Sequence, residues 1–208
     1  EAAARRALEE PTRTAREFKR RLGDPAPIIV GGTPFGAETL IAYVLAHVHR
    51  LVSDREGGPA ERVVLTHPAS WGPYKTDLLR HAAQLARLGP VELVPEPVAA
   101  AIHYAAQERI EPGALVAVYD FGGGTFDAAV LERTTAGFVL VGQPEGIERL
   151  GGIDFDAAVL AHVDRVLEHP LGQLNEDDED HRRAVARLAS DCRAAKETLS
   201  ADTDTSIA

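Results

Sequence analysis

Two apolar runs, Ala114-Leu115-Val116-Ala117-Val118-Tyr119 and Ala128-Ala129-Val130-Leu131, enclose the octapeptide Asp120-Phe121-Gly122-Gly123-Gly124-Thr125-Phe126-Asp127. Both runs read as strands, so the glycines between them form the tip of a tight hairpin. Three consecutive glycines leave backbone N–H groups unshielded by side chains, and such a loop can wrap an anion. Thr125 adds a hydroxyl. Asp120 and Asp127 add carboxylates that could hold Mg²⁺ directly or through water. The chemistry implied is a metal-bound polyphosphate, most simply ATP. On these eight residues alone, a plain glycine hairpin with solvated carboxylates is the alternative. The loop matches neither the P-loop, with its Gly-Lys-Ser/Thr, nor the dinucleotide fingerprint, and it joins strand to strand rather than strand to helix.

The N-terminal half alternates strands and helices. Helical character at the start gives way at Pro11 to a basic helical stretch over 13–22. Ile28-Ile29-Val30 is a short strand closed by Gly31-Gly32. In the helix that follows, Leu40, Ile41, Val44, Leu45, Val48, Leu51 and Val52 make one apolar stripe, expected to pack on the sheet containing Val63 and Leu65. Strands at 63–66 and 91–94 alternate with helices at 73–88 and 97–107, which implies a sheet with helical crossovers. After Pro112-Gly113 the pattern becomes a meander of three strands, 114–120, 127–132 and 137–142. Helices at 154–167 and 182–199 follow, separated by the acidic loop 176–180. The change near Pro112 marks a candidate boundary, where a ligand loop could bind nucleotide between two lobes.

The 208 residues fit one large domain or two small ones, and 45% hydrophobic content supports a core. A net charge of −10 opposes non-specific binding to nucleic acid or an anionic membrane. Cys192 is the only cysteine, so no intrachain disulfide forms and cytosol is the natural compartment. It sits on a helix and reads as packing. No apolar run approaches a membrane span. The chain has no methionine and opens within a helical pattern, so the expectation is a processed chain or a fragment. His47 and His49, two apart on a helix, point to different faces and do not make a zinc pair. The cluster Arg16, Lys19, Arg20 and Arg21 reads as solvated surface in so acidic a chain.

An ordered set of segments resembles the seventy-kilodalton heat-shock protein (DnaK-like) chaperone family. They are Thr66-His67-Pro68-Ala69-Ser70-Trp71, then Val94-Pro95-Glu96-Pro97-Val98-Ala99-Ala100-Ala101, the octapeptide, Leu150-Gly151-Gly152-Ile153-Asp154-Phe155-Asp156, and Cys192-Arg193-Ala194-Ala195-Lys196-Glu197-Thr198-Leu199-Ser200. The resemblance implies an α/β, actin-like ATPase (ribonuclease H-like) fold, two-lobed and incomplete in this chain. It divides the chain into the end of an outer first-lobe subdomain (1–35), a first-lobe α/β core (36–111), a second-lobe meander with a phosphate loop (112–150) and the start of an outer helical subdomain (151–208).

By the same resemblance, Gly122, Gly123, Gly124 and Thr125 form a phosphate-binding loop. Asp120 organises the Mg²⁺ shell, with Asp127 in the same carboxylate set, reaching the metal through water. Glu96 positions the hydrolytic water, and Pro68 is a switch proline coupling nucleotide state to lobe position. Gly151 and Gly152 approach the nucleotide or allow the turn into the next helix. Lys196 and Ser200, on one helix face, line the adenosine pocket. Taken alone, Glu96 reads as a helix cap favoured by the macrodipole, Pro68 as a strand terminator, and Lys196 and Ser200 as an exposed face.

There are departures from the family pattern. Nothing matches its first phosphate loop or its closing Gly-Gly adenosine turn. Its catalytic lysine falls at Ala4 or Arg5. Arg193 and Glu197 stand with acid and base exchanged, four apart and able to pair with each other. The reading is therefore the ATP-binding portion of a heat-shock-type chaperone, with ATP and Mg²⁺ as cofactors and slow hydrolysis in the intact parent. Expected partners are ATP/ADP, co-chaperones and a peptide-binding domain outside this chain, with no nucleic acid and no membrane. The expected location is cytoplasmic, in the stress response. The alternatives are a non-catalytic nucleotide sensor or scaffold of the same fold and, behind it, a sugar or acyl kinase.

Overall fold

The computed structural model describes residues 7, 9–168, 170–175 and 178–207. The helical start expected over the first residues, Ala4 and Arg5 included, lies largely outside them, as do two residues of the acidic loop.

The described residues are mixed α/β with three small sheets. Strands β1 (Ile28–Val30) and β2 (Thr33–Phe35) pair antiparallel across Gly31-Gly32. Helix α1 (Ala37–Glu56) follows. Strands β3 (Val63–His67) and β4 (Val91–Pro95) are parallel, joined by helix α2 (Pro73–Leu85), as a crossover unit requires. Helix α3 (Glu96–Ala105) begins directly on β4, with Pro97 in its first turn, where a missing N–H costs nothing. It packs against both the parallel pair and the meander β5 (Leu115–Phe121), β6 (Phe126–Thr134) and β7 (Gly137–Ile147). Helices α4 (Gly152–Val166) and α5 (Glu179–Thr198) pack on each other. The Asp178 side chain caps α5 by accepting from the amides of Asp180 and His181. No helix among the described residues is long and apolar enough to cross a membrane.

Two expectations are corrected. The stretch 13–22 is not one helix but two 3₁₀ turns, Pro11–Arg13 and Phe18–Arg21, separated by Glu17 in the left-handed region at φ 57°. Helix propensity is a weak prior, and here long-range ion pairs made by Lys19 and Arg20 set the conformation. The α1 stripe does not seat on the β3–β4 sheet: α1 packs on α2 and on the Phe18–Arg21 turn. Leu40 and Ala42 are buried, while Val44 and Val48 are about half exposed, at 48% and 50%. Cys192, by contrast, is buried as expected.

Candidate functional site

The β5–β6 hairpin sets Asp120 directly opposite Asp127, and Phe121 opposite Phe126. The Gly122 amide donates to the Thr125 carbonyl at 3.1 Å and closes the tip. Like charges directly opposite on one sheet face repel, so a cation between them would relieve a built-in cost. Asp127 is buried, at 5% exposure. Its Oδ1 accepts from the Ser70 hydroxyl at 3.2 Å, whereas its Oδ2 is buried with no hydrogen-bond partner among the described residues. An orphaned, buried carboxylate oxygen beside a second carboxylate fits a hard cation. Those residues hold no group of three or more His, Cys, Asp or Glu side chains able to grip a metal unaided. The donor set thus suits Mg²⁺, which keeps waters and phosphate oxygens among its ligands.

The glycine loop is held from behind by the start of α4. The amides of Gly152 and Ile153 donate to the carbonyls of Gly122 and Gly123 at 3.1 and 2.9 Å. The carbonyls are thereby engaged, while the amides of Gly123, Gly124 and Thr125 take no backbone partner among the described residues. The approach is close enough that a Cβ on Gly151 would meet Gly123 C and Gly124 N at 2.6 Å. Glycine at 151 is thus a packing requirement of the loop. Gly152 is looser, a Cβ there meeting Lys196 Nζ at 3.4 Å.

Around the loop lies a cationic rim. Lys19 Nζ donates to Glu96 Oε1 at 2.8 Å. Arg20 grips Asp154 with both terminal nitrogens, at 3.1 and 2.6 Å, and its Nε lies 3.0 Å from where a Cβ on Gly124 would stand. The hydrogen bonds from Arg20 hold the Asp154 carboxyl below the ordinary aspartate value. Lys75 pairs with Glu148. A narrow crevice brings Lys19, Arg20, Pro68, Trp71, Lys75, Thr125 and Glu148 together. Pro68 is fully buried. Its carbonyl accepts from the Trp71 amide at 3.1 Å and lies 2.8 Å from His67 Nδ1, which must therefore carry a proton. The reading of Arg20 as solvated surface is overturned, its side chain being 11% exposed, whereas Lys19 is exposed as expected and still reaches Glu96. The signal that could have found them is the apolar flank: Phe18 on one side, and Leu22, itself buried, on the other. Ser70, too, was not visible as a site residue, because it reaches Asp127 across 57 positions of chain.

On α5, Lys196 Nζ donates to the Gly152 carbonyl at 3.1 Å and pairs with Asp156 Oδ1 at 2.7 Å. Lys196 therefore stands at the back of the glycine-loop turn, whereas Ser200 does not share its helix face as expected: it lies beyond the end of α5 and is exposed. Arg193 does not pair with Glu197 as expected. Its Nε donates to Asp156 Oδ2 at 2.8 Å. Burial pushes the Asp156 carboxyl up, but the bonds from Lys196 and Arg193 outweigh it and hold the group below its ordinary value.

A crossover unit feeding a carboxylate-flanked glycine hairpin defines a class, and comparison with known proteins says which. Residues 24–208 match the family model described as Hsp70 protein, and the chain belongs to the Hsp70 family. It is 32% identical over all 208 residues to the chaperone protein DnaK of Elusimicrobium minutum (strain Pei191), of whose length it spans 33%. Membership implies an actin-like ATPase fold, with which the mixed α/β architecture agrees.

Proposed function

We propose that this chain is the ATP-binding portion of a heat-shock-type chaperone, holding Mg-ATP between two lobes and, in the full-length protein, hydrolysing it slowly. The observation that carries the reading is the pair Asp120 and Asp127 facing each other beside a loop of free amides, one buried carboxylate oxygen unpartnered. The amides of Gly123, Gly124 and Thr125, in the loop that Gly122 closes, would hold phosphate oxygens, and Asp120 and Asp127 would hold Mg²⁺, in part through water. When bound, Mg²⁺ neutralises phosphate charge. Glu96, fixed by Lys19, would orient the attacking water, which gives this chain a lysine at the site although none stands at positions 4–5. Pro68, buried at the crevice, would sense the nucleotide. Gly151 and Gly152 would act through the loop they support, and Lys196 and Ser200 would border the adenosine.

In this reading 1–35 and 36–111 belong to the first lobe, and 112–150 and 151–208 to the second. A change of lobe angle on hydrolysis would gate a peptide-binding domain, with co-chaperones as further partners and the cytoplasm as the setting. The relative's name, chaperone protein, supports that role. The test is phosphate release by the full-length protein under Mg-ATP, set against Asp127→Asn. Turnover that the substitution abolishes supports an ATPase. ADP binding without turnover overturns the hydrolysis and supports the alternative of a nucleotide sensor; absence of nucleotide binding overturns the reading as a whole.

A further inference from the structure

We infer that Ser70 is a positioning residue for the cation site: it fixes the Asp127 carboxylate so that Oδ2 alone is offered to Mg²⁺. The inference rests on the nucleotide-site reading above and adds a residue to it. Three observations converge on this one carboxylate. The Ser70 hydroxyl donates to Oδ1 at 3.2 Å. On the other side, a Cβ on Gly146 would lie 2.5 Å from Oδ1 and 3.2 Å from Cγ, so the carboxylate occupies the space that glycine leaves. Oδ2 is buried and has no partner among the described residues.

One oxygen is therefore engaged and the other held in reserve. Ser70 itself is held. It sits in the turn between β3 and α2, whose carbonyl at Pro68 accepts from the Trp71 amide and faces His67 Nδ1. His67 in turn stacks on Trp71, the rings 6.4 Å apart and 15° from parallel. A turn pinned at three points presents the hydroxyl at a fixed place, so the carboxylate is oriented before a cation arrives, and less ordering is left for the binding step. The same bond ties the Pro68 turn to β6, so a shift of that turn would release Asp127.

Calorimetric titration of the full-length protein with ADP over a range of Mg²⁺ concentrations tests this. A hydrogen bond to a charged acceptor is strong enough that Ser70→Ala should raise the Mg²⁺ needed for half-maximal enhancement of ADP affinity about tenfold. Ser70→Thr, which keeps the hydroxyl, should stay within about twofold of wild type. In an Asp127→Asn background the Mg²⁺ dependence should already be lost, and Ser70→Ala should add nothing. Wild-type behaviour of Ser70→Ala overturns the inference, as does an Ser70→Ala loss that persists undiminished in Asp127→Asn; in both cases the nucleotide reading stands if Asp127→Asn alone loses the Mg²⁺ dependence. Retention of that dependence in Asp127→Asn overturns the reading and the inference together.

Discussion

Lys19 and Glu96, 77 positions apart in the chain, meet in an ion pair of 2.8 Å at the edge of the glycine hairpin. Glu96 is the first residue of α3, so the helix dipole already favours its charge, and Lys19 fixes where the charge points. Preorganised charge of this kind acts on the transition state more than on the bound ground state. Lys19→Ala is expected to slow single-turnover ATP hydrolysis by about 10²–10³-fold while leaving ADP affinity within about threefold of wild type. Rapid-quench kinetics beside ADP calorimetry on the same preparations checks both halves.

The cross-strand pair Asp120 and Asp127 predicts an opposite response to substitution with and without metal. In EDTA, Asp120→Asn removes a like-charge contact and should stabilise the full-length protein by about 0.2–1 kcal/mol. With Mg²⁺ and ADP present, the same variant should lose the ligand-dependent gain shown by wild type. Thermal melting under the two conditions gives both signs in one experiment.

At the back of the loop, steric demand separates two adjacent glycines. Gly151→Ala forces a Cβ into the backbone of Gly123 and Gly124, which cannot yield as a side chain can. It should cost about 1–3 kcal/mol or more, read as a lowered urea midpoint. Gly152→Ala meets the far end of the Lys196 side chain and should cost clearly less.

These contrasts show which parts of the fold were legible in the sequence. The hairpin, the parallel crossover and the helix starts at Pro73 and Pro97 were readable because each rests on local chemistry: glycine at a tip, proline at a first turn, apolar runs of strand length. Family membership was readable from five ordered segments. What was hidden depends on contacts between distant segments. The partners of Lys19 and Arg20 were hidden because nothing local marks Glu96 and Asp154 as theirs. Arg193 was expected on Glu197, its neighbour along the helix. It pairs instead with Asp156, where Lys196 adds a second cation and partial burial strengthens the attraction. The stripe on α1 was correctly periodic, but periodicity names a face and not the surface that meets it. The face that is buried carries Leu40 and Ala42 against α2 and the Phe18–Arg21 turn.

The lowered Asp156 carboxyl gives a pH signature. A carboxylate whose folded value lies below its unfolded one contributes stability that is fully present above the unfolded value, about 3.9 for aspartate, and is lost as pH falls through the folded value. The stability difference between wild type and Asp156→Asn should therefore be flat above about pH 5 and shrink as the solution is taken below about pH 4. Urea unfolding at a series of pH values measures it. In a double-mutant cycle Arg193 should couple to Asp156 and not to Glu197.

Whether a metal-bound polyphosphate sits at the hairpin from Asp120 to Asp127 is decided by a crystal structure of the full-length protein with Mg²⁺ and ADP. Phosphate oxygens should lie within hydrogen-bonding reach of the Gly123, Gly124 and Thr125 amides, with the metal and its waters beside Asp120 and Asp127 Oδ2. Nucleotide bound away from the hairpin, or phosphates at the loop with both carboxylates turned from the metal, would contradict it.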